Sequence, residues 1–189
     1  IFCVIGIINA LNLIDGIDGI CAALSIIALT GIIVLAKLSL HVASIALVVY
    51  FLAALVAFLL VNLGLLKKYI DKVFLGDTGT TVIGFFMCWM FIKFSQNEDP
   101  ILRPITAVWL LAIPIMDTLT VMIHRLRVGA SPFKCDRMHI HYILLDLGLS
   151  QLKVLLVLIS MALLLAAIGI VGEVTQLQEY FLFYGILVV

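Results

Sequence analysis

Apolar positions in this sequence come in long blocks, separated by short intervals that gather most of the charge. A helix that crosses a bilayer needs about 20 mainly apolar residues. Five blocks reach that scale, at about 19 to 38, 42 to 66, 79 to 94, 104 to 124 and 152 to 172. Two shorter blocks flank them, Ile1 to about Ile14 and about Tyr180 to Val189, each too short to cross alone. In lipid every backbone amide must be satisfied within its own segment, so each block is read as a helix, and successive helices alternate direction. The predicted fold is all-α: a polytopic transmembrane helix bundle with about seven helices in this chain, five complete and two truncated. No linker divides the chain, so residues 1–189 are read as one integral-membrane domain.

Composition agrees with lipid as the solvent. Of 189 residues, 65% are hydrophobic and 12% charged, and the mean hydropathy is +1.33, outside the range of soluble domains. The formal net charge of zero argues against a nucleic-acid surface, where basic residues are in excess. Ile1 is not followed by a basic segment and a small-residue cleavage site, so the chain is expected to begin inside a helix and not with a signal peptide. Cys3, Cys21, Cys88 and Cys135 lack the CxxC spacing of a zinc or redox site and are expected as free thiols.

Alternation sorts the polar intervals into two sets. Those after Ile14, Leu66 and His124 share one side and carry Lys67, Lys68, Lys72, Arg125, Arg127, Lys134, Arg137 and Lys153; the other side has Lys37, Lys93 and Arg103. By the positive-inside rule the first side is cytoplasmic, with loops at about 15–18, 67–78 and 125–151. Three polar clusters fall on that side: Asn9-Ala-Leu-Asn12-Leu-Ile-Asp15-Gly-Ile-Asp18-Gly, Phe74-Leu-Gly-Asp77-Thr-Gly-Thr80 and Asp136-Arg137-Met-His139-Ile-His141. Ionisable groups at membrane depth are costly and line an interior or a wet site, so a shared cavity is the economical expectation.

Each cluster has its own chemistry. Residues three apart are neighbours on a helix, which puts Asn9, Asn12 and Asp15 on one face. Gly16 and Gly19 then allow a tight turn. Oxygen ligands beside bare backbone suit a metal-bound diphosphate; the alternative is an ordinary polar helix end. Asp77, with Thr78 and Thr80, reads either as an N-cap or as a metal ligand at a helix mouth that favours phosphate. Phe74 either stacks on a base or anchors at the interface. The interval from Arg125 to Gln151 reads as a loop plus a short interfacial helix, in which Arg137, His139 and His141 supply donors and positive charge for phosphate. Its alternative is a basic surface against anionic lipid. Asp117 lies inside a span near the same side, a hydrogen-bond acceptor for which Arg125 and Arg127 are the nearest cations in sequence. His41 and His124 are read as interfacial.

Taken in order, Asn9-x-x-Asn12-x-x-Asp15-Gly-x-Asp18-Gly, Phe74-x-Gly-Asp77-x-Gly-Thr80 and His139-x-His141 closely resemble the polyprenyl-phosphate N-acetylhexosamine-1-phosphate transferase family, over nearly the whole chain. The stretch from Ser131-Pro132-Phe133 through Asp136-Arg137-x-His139-Ile-His141 is similar to the branch that loads GlcNAc 1-phosphate onto undecaprenyl phosphate at the start of O-antigen, common-antigen and cell-wall polysaccharide synthesis.

The resemblance implies a Mg2+-dependent transfer, with Mn2+ as a substitute. The lipid phosphate attacks the sugar-bearing phosphorus of UDP-GlcNAc, giving undecaprenyl-diphospho-GlcNAc and UMP. By the match, Asn12 and Asp77 bind the metal. Asp15, Asp18 and Asp77 form the catalytic set, with Asp15 and Asp18 ordering the nucleotide side. Asn9 binds substrate, Phe74 lies near the uracil, and Arg137, His139 and His141 hold phosphate. The implied partners are a UDP-sugar, a polyprenyl phosphate, the membrane and a second copy in a homodimer, with no nucleic acid. The implied location is the bacterial inner membrane, multi-pass, with the site facing the cytoplasm.

Two departures qualify the match. Tyr142 stands where many relatives carry a further His, and the family's tandem-Asp motif belongs to a cytoplasmic loop upstream of Ile1. The chain is therefore expected to lack amino-terminal helices of a protein of about ten or eleven spans. Rival readings are transfer of another UDP-sugar (MurNAc-pentapeptide or GalNAc), a secondary transporter with a midplane site and internal repeats, and a non-catalytic scaffold.

Overall fold

The computed structural model describes residues 2–40, 45–132 and 137–188; the readings placed on His41, Phe133, Lys134, Cys135 and Asp136 lie outside the described residues. Among those described, the regular structure is helical throughout: α1 (Phe2–Ile14), α2 (Ile20–Leu38), α3 (Ala46–Asn62), α4 (Gly76–Ser95), α5 (Pro104–Leu110), α6 (Ala112–Arg127), α7 (Ile140–Asp146), α8 (Gln151–Val174) and α9 (Glu179–Val188). Helices α2, α4 and α8 are each long and apolar enough to span a membrane, and α5 with α6 would make a fourth span.

The block expected as one span at 104 to 124 is in fact two helices bent by 86°. Pro114 explains the position of the break. It has no N–H to give the Leu110 carbonyl, and its ring crowds that carbonyl; Leu111, between the two helices, leaves helical geometry at φ −111° and ψ 27°. Helix α7 is the short helix expected between Arg125 and Gln151. These two features raise the seven expected helices to nine. The fourth helix also starts earlier than expected, at Gly76.

The bundle is built around α1, which packs on α4 and α6, while α2 packs on α3 and α8 and α5 on α8. Helices α1 and α4 run antiparallel: Sγ of Cys3 and Sγ of Cys88 lie 3.7 Å apart, Ile8 faces Gly84, and Asn12 reaches Asp77 and Thr80. A Cβ on Gly84 would come within 2.7 Å of the Ile8 Cα, so a bare backbone sets this crossing, as small residues do between membrane helices. Cys3, Cys21 and Cys88 are free thiols.

At the end of the bundle away from Asn12 and Asp77, Arg103 ties α5 to α8. Its backbone N–H donates to Glu173 Oε2 (2.9 Å) and its Nε to Oε1 (3.1 Å), while the guanidinium also donates to the carbonyls of Gly172 (2.9 Å) and Leu177 (2.6 Å). The Thr106 hydroxyl donates to the same carboxylate. A buried carboxylate with this many donors is compensated, and the Gly172 carbonyl, in the last turn of α8, gains a donor.

Candidate functional site

The opposite end of the bundle gathers the carboxy end of α1, the amino end of α4, the end of α6 with α7, and the start of α8. Asn12, in the last turn of α1, donates Nδ2–H to Asp77 Oδ1 (3.1 Å) and to Thr80 Oγ1 (2.9 Å). Asp77 lies in the first turn of α4 and is not the N-cap, a position that Leu75 occupies. A carboxylate in that turn is still favoured by the helix dipole. Its carbonyl accepts from the hydroxyls of Thr80 (3.0 Å) and Thr81 (2.7 Å), which leaves the carboxylate for the site.

The corner between α1 and α2 carries the remaining acids. Gly19 turns the chain in the left-handed region at φ 81°. Gly16 serves a different purpose: a Cβ there would sit 2.0 Å from Nε2 of His141. Asp18 pairs with Lys72, and the Lys72 ammonium stands 5.9 Å from the Phe74 ring centroid. Burial pushes the Asp15 carboxyl up to about 6, opposed by a hydrogen bond from the Cys21 backbone and reinforced by repulsion from Asp18 and Asp77.

Two adjoining cavities result. The first, of about 420 Å³, is lined by Asn12, Asp15, Asp18, Phe74, Asp77 and Gln151, with Asn62 at its wall. Asn62, the last residue of α3, is buried and holds the loop between α3 and α4 by donating Nδ2–H to the Val73 carbonyl (2.7 Å). The second cavity, of about 510 Å³, shares Asn12, Asp15 and Gly16 and adds Asn9, Arg125, His139 and Tyr142; Phe2, Ile5, Leu13 and Met122 form its apolar wall. Asn9 and Asn12 from α1 and Asp15 from the turn just past its end thus line one cavity.

The third cluster divides. His139 is buried and lines the second cavity; its Nδ1–H donates to Asp117 Oδ2 (2.7 Å), and Asp117 Oδ1 accepts the Ile140 backbone N–H (2.7 Å). His141 is fully buried and neither ring nitrogen has a hydrogen-bond partner among the described residues; its ring packs beneath Gly16 and lines neither cavity. Burial pushes it down to about 4. Arg137 is exposed, 3.8 Å from Asp146, with its guanidinium 4.9 Å above the Tyr142 ring. Tyr142, the departure from the family pattern, is therefore part of the cavity wall.

Sequence reasoning missed Asn62, Lys72 and Gln151 as neighbours of the acids. Asn62 had a signal, an isolated amide at the end of an apolar block. Arg125 and Arg127 were the expected cations near Asp117, but its partners are His139 and Ile140, and Arg125 donates Nη1–H to the Pro132 carbonyl (2.7 Å).

The donor set of Asn12, Asp15 and Asp77 is oxygen-rich and acidic, which suits a hard divalent cation. No group of three His, Cys, Asp or Glu among the described residues closes on one point. Magnesium does not require one, since it keeps waters and takes one or two carboxylates together with substrate phosphates.

Fold and site define a polytopic helical membrane protein with an acid- and amide-lined centre at one end of its bundle. The chain belongs to glycosyl transferase family 4, whose model matches residues 1–95, the part that carries Asn9 through Asp77. It is 37% identical over 132 residues to the undecaprenyl-phosphate alpha-N-acetylglucosaminyl 1-phosphate transferase of Pasteurella multocida (strain Pm70), covering 70% of this chain and 37% of that one. The enzymes of the same name from Yersinia pestis and Escherichia coli (strain K12) are 39% identical over 145 residues and 40% identical over 123. Those matches cover 71% and 65% of this chain, against 39% and 33% of the relatives. The chain therefore spans little more than a third of the length of the relatives it matches.

Proposed function

We propose that the full-length protein transfers GlcNAc 1-phosphate from UDP-GlcNAc to undecaprenyl phosphate, releasing UMP, with its site facing the cytoplasm of a bacterial inner membrane. The observation that carries this reading is the pair of adjoining cavities that meet at Asn12 and Asp15. One is lined by acids and amides together with the exposed ring of Phe74; the other adds an apolar wall to Asn9, Asn12, Asp15 and His139. A nucleotide diphosphate fits the first, and a phosphate on a hydrocarbon chain fits the second.

Phosphoryl transfer is mainly positioning and charge neutralisation. Asn12 and Asp77 would hold Mg2+, which when bound neutralises charge on the diphosphate. Phe74 offers a stacking face to the base, with Lys72 beside it and Asp18 anchoring Lys72. Asn9 and His139 turn hydrogen-bonding atoms toward the acceptor phosphate, and the apolar wall receives the first isoprene units. Asp15 sits where the two cavities join, next to the phosphorus that changes hands. Arg137 and His141 act at a remove, Arg137 on the Tyr142 wall and His141 under the turn at Gly16.

The test is product formation by the purified full-length protein from undecaprenyl phosphate and a panel of UDP-sugars, with the lipid product identified by mass spectrometry. Lipid-linked diphospho-GlcNAc is expected with Mg2+ or Mn2+, and none after chelation. Product from a different UDP-sugar alone would overturn the choice of sugar. No lipid product from any donor would overturn the enzyme reading.

A further inference from the structure

We propose that Asp117 is the positioning residue for His139, fixing which ring nitrogen carries the proton and turning Nε2 into the second cavity as the atom that meets the acceptor phosphate. The inference rests on the reading of that cavity as the site of a phosphate monoester. Asp117 lies on α6, past the break at Leu111, and both its side chain and that of His139 are almost wholly buried, 6% and 4% exposed. Its two carboxylate oxygens are divided between two donors: Oδ2 takes His139 Nδ1–H and Oδ1 takes the Ile140 amide, each at 2.7 Å. A carboxylate only accepts, so Nδ1 must hold a proton and Nε2 is left for the cavity that the ring lines.

The chemistry follows from that tautomer. Bare, Nε2 takes the remaining proton from a phosphate monoester; the P–O–H bond breaks, the N–H bond forms and its electron pair stays on phosphate oxygen. The products are a phosphate dianion, the better nucleophile, and an imidazolium whose Nε2–H holds that oxygen and whose charge Asp117 balances. Nothing else is consumed. The logic is that of a buried carboxylate orienting an imidazole.

Asparagine at 117 separates this role from simple support of α7. Its side chain has the shape of aspartate but one acceptor and one donor. If the carbonyl oxygen keeps the Ile140 amide, the amide nitrogen faces His139 Nδ1, which must then accept, and the ring proton moves to Nε2. In the full-length protein, Asp117→Asn is expected to lower kcat by about 100-fold or more while the KM for UDP-GlcNAc moves by less than about 3-fold. In a His139→Gln background the same substitution is expected to change kcat by less than about 2-fold, because Asp117 acts only through His139. An equal loss in both backgrounds, or a change confined to the KM for UDP-GlcNAc, would overturn the proposal.

Nitrogen NMR of ring-labelled histidine, assigned by difference against His139→Gln, reads the tautomer independently of turnover. Protonated Nδ1 in the wild type and protonated Nε2 in Asp117→Asn is the expected pair; the same tautomer in both would overturn the proposal even in a protein that transfers nothing. Absence of transfer by the wild type, with the tautomer switching as expected, would instead remove the functional reading and leave the positioning of His139 by Asp117 in place.

Discussion

Gly16 and His141 meet more closely than any side chain at position 16 would permit. The ring is buried, and a Cβ added at Gly16 would lie 2.0 Å from its Nε2, so Gly16→Ala must push either α7 or the corner that carries Asp15 and Asp18. A cost of about 1–3 kcal/mol is expected from such overpacking, measured as a lower unfolding temperature in detergent; adding His141→Ala should recover part of it, since the cavity that substitution leaves accepts the methyl group. The same histidine gives the fold an acid limit. Burial lowers His141 from 6.5 to about 4, with Asp117 opposing the shift and His139 adding to it. Between those values the unfolded chain binds a proton that the folded chain refuses. Its contribution to stability is therefore full above 6.5 and is lost as pH falls toward 4. Thermal unfolding of wild type against His141→Leu across that window should show the wild type losing stability more steeply; parallel profiles would contradict the assignment.

At the scale of elements, the crossing of α1 over α4 sets the distance between Asn12 and Asp77. Gly84 is the contact that permits it, because the atom a side chain would strike is backbone, the Ile8 Cα at 2.7 Å. Gly84→Leu is expected to force α1 away, lowering stability by about 1–3 kcal/mol and abolishing transfer even though no site residue has changed. Retained activity would show that the crossing does not position the site. Much at this scale was legible in the sequence. Apolar block length gave the helices, although α3 has 17 residues where a complete span was expected at 42 to 66; spacing brought Asn9, Asn12 and Asp15 together, and alternation of direction placed three distant clusters at one end. The break at Leu111 was not legible from hydropathy, since the block around it is continuously apolar and the only signal is Pro114, three residues on. Nor was the pairing of Asp117 with His139, which depends on how α7 folds back onto α6, or the burial of His141, which shares a motif with a residue that lines the cavity. Spacing along a chain reports which side chains share a helix face; it does not report which of two histidines a neighbouring glycine will bury.

For the whole molecule, the polar end with Asp15, Asp18 and Asp77 and the opposite end tied by Arg103 and Glu173 should face different compartments. In a cysteine-free background, an impermeant maleimide added to spheroplasts is expected to label Glu98→Cys and to spare Lys68→Cys until the membrane is opened; the reverse pattern would invert the orientation. The central claim, that these acids and amides form one catalytic centre for transfer to a lipid phosphate, is tested most directly by turnover of labelled UDP-GlcNAc with undecaprenyl phosphate. The comparison is full-length wild type against Asp77→Asn, which keeps shape and removes one charge from the pair with Asn12. With Mg2+ saturating and the folded state verified, wild-type turnover and a loss of about 100-fold or more in Asp77→Asn is the result expected here. Equal turnover in the two proteins would contradict the claim.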